Sequence, residues 1–215
     1  MQTGEVNLSQ FFHIHPDNPQ ARLIKQAAER LRKGEVAVVP TDSAYALVCA
    51  LENKTGVERI RQIRRLDDKH NFTLLCRDLS EISTFARITN VEFRLLKTHT
   101  PGPYTFILNA SREVPRRLMH PKRRTIGIRV PQDNVLSALL AELNEPLMSS
   151  SLILPGDTLP MTDPWDIEST LGHAVDLIVD GGFRGLEPTT VVDLTDETPV
   201  IVLPGAGGPS IFQTE

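Results

Sequence analysis

Leu23, Ile24, Ala27, Ala28 and Leu31 recur at helical spacing, and Gly34 follows as a stop, so the first clear element is a helix with one apolar face. The run Val36-Ala37-Val38-Val39 shows no alternation and is cut off by Pro40, the pattern of a strand buried on both sides. Val57, Ile60, Ile63 and Leu66 recur every third residue. They predict a second helix ending near Asp67, with Arg59, Arg61, Arg64 and Arg65 spread over its remaining surface. Further strands are expected at 72–76, 104–109, 125–130, 147–150, 175–179, 189–194 and 200–203, each bounded by Gly, Pro or Asp. Helices are expected at 79–85, 91–97 and 134–143; the last carries the stripe Val135, Leu136, Leu139, Leu140 and Leu143. Strands interleaved with helices predict an α/β fold on a twisted, mixed or parallel sheet. Residues 154–165 read as a loop, and the Gly-rich tail 206–215 as loosely ordered.

A chain of 215 residues with 40% hydrophobic content suits one domain, 1–215, with its core at about 20–205. No apolar run approaches the roughly 20 residues that span a bilayer. The N-terminal region carries Glu5, His13, His15 and Asp17 in place of a signal pattern, so the expected location is the cytoplasm, away from membranes. Cys49 and Cys76 lie in apolar stretches without the paired spacing of a zinc site and read as buried, inert thiols. His70, His99, His120 and His173 do not have ligand spacing either, so no protein-bound metal is expected.

Net charge is −4, but its distribution is uneven. Arg112, Arg116, Arg117, Lys122, Arg123, Arg124 and Arg129 follow one another with Glu113 as the only acid among them, while the last third of the chain is acidic. This polarity predicts a cationic face on an acidic body. Clustered cations are what a phosphate-contacting surface of a nucleic-acid binder needs, and Arg112, Arg116, Arg117, Lys122, Arg123 and Arg124 supply them. A solvated charged face is the other reading of the same residues.

Candidate chemistry sits in hydroxyl-rich segments at strand ends, where open α/β sheets expose ligand-binding groups. Pro40-Thr41-Asp42-Ser43-Ala44-Tyr45 follows the first buried run, and Thr100-Pro101-Gly102-Pro103-Tyr104-Thr105 precedes another. Met148-Ser149-Ser150-Ser151 ends a third with consecutive hydroxyls, and Pro188-Thr189-Thr190-Val191-Val192-Asp193 opens a fourth. None is diagnostic alone, since each also reads as a tight turn. Taken in order, they resemble the YrdC-like (threonylcarbamoyl-AMP synthase) superfamily from about Leu23 to Gly205. The family's Pro-Thr-Asp/Glu-Ser/Thr-x-Tyr-Gly-Leu matches Pro40 to Leu47 with Ala46 for glycine. Its Pro-Gly-Pro-x-Thr matches Pro101 to Thr105, its Arg-x-Pro matches Arg129 to Pro131, and its Pro-Ser-Thr-Val-Val-Asp matches Pro188 to Asp193.

The resemblance implies a YrdC-like twisted open mixed sheet with flanking helices and a cationic concave face. That face would hold ATP or another AMP-containing ligand, L-threonine and bicarbonate, with Mg²⁺ carried in by ATP, and the product would feed tRNA modification. The residues it assigns to substrate or nucleotide are Thr41, Ser43, Tyr45, Arg64, Thr105, Arg129, Ser149, Ser151 and Thr189; Lys69, which follows the second helix, is a further candidate that would replace missing charge there, a plain surface lysine being the other reading. The chemistry asks for positioning and charge neutralisation and no protein nucleophile.

Three motifs depart from the family. Lys-x-Arg-Pro becomes Arg64-Arg65-Leu66-Asp67, Ser-x-Asn becomes Ser151-Leu152-Ile153, and Arg-Pro-Gly becomes Leu203-Pro204-Gly205. These changes resemble the YciO branch. They point to a weak or altered threonylcarbamoyl-AMP synthase-like nucleotidyltransferase, or to an enzyme adenylating another amino acid. The alternative is a non-catalytic double-stranded RNA- or tRNA-binding module.

Overall fold

A computed structural model describes residues 8–67 and 70–209. Its strands are β1 (Gln10–His13), β2 (Ala37–Val39), β3 (Ala46–Ala50), β4 (Thr73–Leu75), β5 (Ala86–Arg87), β6 (Tyr104–Ala110), β7 (Thr125–Arg129), β8 (Leu147–Ser151), β9 (Leu177–Asp180), β10 (Thr190–Asp193) and β11 (Val200–Leu203). Its helices are α1 (Ala21–Arg32), α2 (Lys54–Arg64), α3 (Leu79–Phe85), α4 (Asn90–His99), α5 (Asn134–Leu143) and α6 (Pro164–Leu171). The strands form one eleven-stranded open sheet in the order β1-β9-β2-β3-β8-β4-β7-β6-β10-β11, with β5 paired to β6. Pairing is mixed. β1/β9, β2/β9, β4/β7 and β6/β10 are parallel, and the other pairs are antiparallel.

Period-two alternation divides the core cleanly between the two faces. Ala37, Val39, Ala46, Val48, Leu75, Leu147, Leu177 and Val179 face α1 and α5. Val38, Leu47, Cys49, Leu74, Met148 and Ile178 point the other way, into a larger cluster that includes Val57 and Ile60 of α2 and Ile167 and Leu171 of α6. Burial on both sides explains why β2 reads as a continuous apolar run.

Helix ends follow local chemistry. Asp133 caps α5, its carboxylate accepting from the Leu136 N–H at 2.8 Å. Thr89 and Glu92 close a reciprocal capping box on α4. The α2 helix stops at Arg64, earlier than its apolar spacing predicts, because Arg65 turns into the left-handed region at φ 51°. Among the described residues no helix is long and apolar enough to cross a membrane.

Several elements lie outside the sequence expectations. β1 is an edge strand, and β3 occupies a stretch read only as apolar. α6 follows directly on the Pro-rich loop, with Asp163 as its cap and Pro164 at its first turn, where a missing N–H does no harm. The tail is tighter than its glycine content predicts as far as Gly208. Ala206 N–H donates to the Pro188 carbonyl at 2.9 Å, and the Tyr104 hydroxyl donates to the Gly208 carbonyl at 3.0 Å. Glycine is required there: a Cβ on Gly205 would stand 2.3 Å from the Pro188 oxygen, and one on Gly207 would stand 2.4 Å from the Tyr104 ring. Residues 210–215 lie outside the described residues.

Candidate functional site

Strand register brings the hydroxyl segments together. Ser149 of β8 lies opposite Thr73 of β4, and Ser151 lies opposite Ala46 of β3. Leu75 pairs with Arg129 of β7, and Thr105 of β6 pairs with Val191 of β10. Where hydrocarbon covers the rest of that face, hydroxyls take over here, around a cavity of about 380 Å³. Thr41, Ser43, Tyr45, Arg64, Thr105, Arg129, Ser149, Ser151 and Thr189 all line it. The sequence-predicted Lys69 lies outside the described residues.

Sharing a wall does not give these groups the same freedom. Thr105 and Thr189 hydroxyls touch at 2.8 Å, linking β6 to the segment before β10. The Thr41 hydroxyl donates to the Ala44 carbonyl at 2.6 Å and accepts from the Ser43 N–H at 3.1 Å, which fixes the loop after β2. The Ser149 hydroxyl donates to the Thr73 carbonyl at 3.0 Å. Tyr45 is fully buried; its hydroxyl donates to the Gly182 carbonyl at 2.8 Å and accepts from the Gly181 N–H at 3.2 Å. Burial pushes its phenol up to about 12, so it stays a neutral strut between β3 and the loop after β9.

The cations behave differently from one another. Arg129 is buried and paired with Asp42, which also accepts from the Gln132 N–H at 3.1 Å. Its charge is therefore already met inside the protein, and its evident work is to hold the 40–45 loop against β7. Arg64 is the more available cation. Its Nε donates to the Ile153 carbonyl at 3.0 Å and its Nη1 to the Ser150 hydroxyl, leaving Nη2 with no partner among the described residues. Burial lowers its proton affinity somewhat, but a guanidinium stays charged.

Sequence reasoning missed His70, Ser150 and the part that Leu159 and Leu186 take in the cavity wall. Ser150 alternates to the face opposite Ser149 and Ser151, where Arg64 and His70 meet it, His70 Nε2 at 3.3 Å. Burial first, then the charges of Arg64 and Arg61, push His70 down from 6.5 to about 4. An unfolded chain takes up that proton at the ordinary value while the folded protein resists until the lower one. Stability is therefore lost as pH falls from 6.5 to about 4. His70→Asn is expected to flatten this part of the stability profile, measured as the urea midpoint against pH; an unchanged slope would rule out the burial argument for His70.

Ile153 and Leu203, two of the departures from the family motifs, both line the cavity, joined by Leu159 and Leu186. Leu159, Leu186 and Leu203 are large exposed apolar side chains. The third departure does not face the cavity: Leu66 packs against the main core cluster instead.

The predicted RNA-contacting residues are not brought into this cavity. Arg117 turns inward to the Leu51 carbonyl and Glu52, and Arg123 pairs with Asp193 at 3.3 Å. Lys122 is exposed, and Arg112, Arg116 and Arg124 line a different hollow. The reason is topological. Thr105 and Arg129, at one end of the β6/β7 pair, reach the cavity, whereas residues 111–124 form the connection at its other end. Five residues of strand separate the two, roughly 17 Å at 3.3 Å per residue.

Comparison with known proteins agrees with this architecture. The family model covering Sua5, YciO and YrdC proteins, described as "Telomere recombination", matches residues 29–205, and the chain belongs to that family. It is 58% identical over 200 residues to the Escherichia coli K12 protein YciO, covering 93% of this chain and 97% of that one. The crystal structure of E. coli YciO matches with a TM-score of 0.92 at 57% identity, over 95% of this chain and 100% of that chain. A threonylcarbamoyl-AMP synthase of Vibrio vulnificus is 26% identical over 161 residues, 74% of this chain and 86% of its own. P. abyssi Sua5, in a crystal structure complexed with L-threonine, shares the fold at a TM-score of 0.84 and 24% identity, over 92% of this chain and 58% of that one.

Proposed function

We propose that this protein is an adenylate-forming enzyme of the threonylcarbamoyl-AMP synthase type, acting on an amino acid whose side chain is less polar than that of threonine. The observation that carries this reading is the convergence of Thr41, Ser43, Thr105, Arg64, Ser149, Ser151 and Thr189, from separate segments, on one cavity with an apolar wall of Ile153, Leu159, Leu186 and Leu203. In the reaction, the amino nitrogen and bicarbonate give a carbamate with loss of water. A carbamate oxygen then attacks the α-phosphate of ATP, the bond to the β-phosphate breaks, and pyrophosphate leaves. Arg64 neutralises phosphate charge, and the hydroxyls orient the ligand. Mg²⁺ arrives with ATP and supplies further charge neutralisation to the leaving group.

The apolar wall supports the change of substrate. A wall that offers no partner to a hydroxyl gives up about 1–3 kcal/mol when it buries one, and favours a hydrocarbon side chain instead. Pyrophosphate release from ATP, bicarbonate and a panel of amino acids tests the proposal. Release should require all three components and run faster with valine, isoleucine or leucine than with threonine. Silence under every combination would overturn it. RNA held in the same hollow as the hydroxyls is the weaker reading, because Arg112, Arg116, Arg117, Lys122, Arg123 and Arg124 do not line that cavity.

A further inference from the structure

Several arginines meet an acid. Arg59 pairs with Asp176, Arg123 with Asp193, Arg129 with Asp42 and Arg184 with Asp133. Four do not. Arg87, Arg112, Arg116 and Arg124 have no ion-pair or hydrogen-bond partner for their guanidinium groups among the described residues, and all four line one hollow of about 510 Å³. Its other walls are Val114, Met119, His120, Pro121, Ala110 and Ser111, with no carboxylate among them. Glu113, next to Arg112 in the chain, is exposed and does not line it, and Glu92, Asp196 and Glu197 line a neighbouring hollow whose wall Arg87 and Arg124 share. In a chain of net charge −4, four exposed guanidinium groups on one concave surface, none of them in an ion pair, favour an anion placed among them.

The turn presenting Arg124 is built rather than loose. His120 N–H donates to the Thr125 carbonyl at 2.8 Å, and Arg124 N–H donates to the His120 carbonyl at 2.9 Å. His120 Nδ1 accepts from the backbone N–H of Lys122 at 3.3 Å and of Arg123 at 3.1 Å. His120 is thereby occupied in holding the turn. On the facing side, the Ser111 hydroxyl donates to the Thr84 carbonyl at 2.7 Å and its N–H donates to the Phe85 carbonyl at 2.9 Å, tying the segment that carries Arg112 to the end of α3 and so to β5, which carries Arg87. Three separate stretches of chain are fixed around the same space.

We propose that this hollow is a second anion site, at the far end of β6 and β7 from the hydroxyl cavity, which takes a compact ligand bearing several phosphate groups, an oligophosphate. Guanidinium forks match phosphate oxygens in pairs, so four of them suit two or three linked phosphates.

Sodium tripolyphosphate is the probe, titrated calorimetrically into the full chain. Because the hydroxyl cavity is also proposed to hold phosphates, the decisive comparison is made in an Arg64→Met background. One binding event should remain there. Adding Arg112→Ala and Arg124→Ala should weaken it by about tenfold or more, as expected for two lost charge-assisted contacts. Both side chains are exposed and without partners, so thermal unfolding should be unchanged, which separates lost binding from lost folding. Absence of binding in the Arg64→Met protein, or affinity indifferent to the two added changes, would overturn the site. So would a short RNA duplex that binds through Arg112 and Arg124 without being displaced by tripolyphosphate. Failure of the cavity reading alone would look different: Arg64→Met would leave wild-type tripolyphosphate binding intact, while Arg112→Ala with Arg124→Ala would still reduce it.

Discussion

Arg129→Met is expected to lower the free energy of unfolding by about 3–5 kcal/mol, read from urea titration, because it strands a buried carboxylate. Asp42 and Arg129 expose only 10% and 8% of their side chains, so neither can turn to water when its partner is removed. The remaining Asp42 would keep the Gln132 N–H but lose its charge partner. Replacing both, as Asp42→Asn with Arg129→Met, removes the uncompensated charge and should recover a substantial part of the loss. A single substitution that leaves stability within the scatter of ordinary surface changes would contradict the assignment of Arg129 as a buried strut. The same substitution should also disturb ligand binding, since it frees the 40–45 loop that presents Thr41 and Ser43 to the cavity.

Arg64→Met carries the largest effect expected on binding alone. Losing one charge-assisted contact to phosphate, about 1.5–3 kcal/mol, should weaken ATP·Mg²⁺ by about 10- to 100-fold. Methionine replaces the aliphatic stem, so the stability change should be smaller than that at Arg129. Equal affinities of the two proteins for ATP·Mg²⁺ would remove Arg64 from the phosphate contacts.

The contrast between these two arginines shows where a sequence stops speaking. Both belong to recognisable motifs, and both do reach the cavity, but only the fold reveals that one is neutralised by Asp42 and the other keeps a free edge. Elements with an internal signature were legible. α5 shows its five-residue apolar stripe, and β2 its run ending at Pro40. Elements whose stability comes from partners were not. β1 is a strand because β9 runs beside it, pairing Phe11 with Ile178, and its own mixture of polar and aromatic residues carries little signal. α6 was hidden by the prolines before it, although Asp163-Pro164 is itself a helix-start signal.

The site was legible for a different reason. Thr41, Thr105, Ser149 and Thr189 are far apart along the chain, and no periodicity joins them; the order of family motifs does. The arginines from 112 to 124 went the other way. Their closeness along the chain suggested one surface, but the turn at His120 and the inward course of Arg117 divide them, and Arg87, distant in sequence, joins three of them. Charge clustering in sequence reports on a surface only when the backbone between the charges is straight or regularly helical, and here it is neither.

Calorimetric titration of the purified protein with ATP·Mg²⁺, alone and with bicarbonate and an apolar amino acid, tests the central claim most directly. The hydroxyl-lined cavity beside Arg64 should give one saturable site per chain, tightened when the other two components are present and weakened by Arg64→Met. No heat of binding under any of these mixtures, from protein shown to be folded, would contradict it.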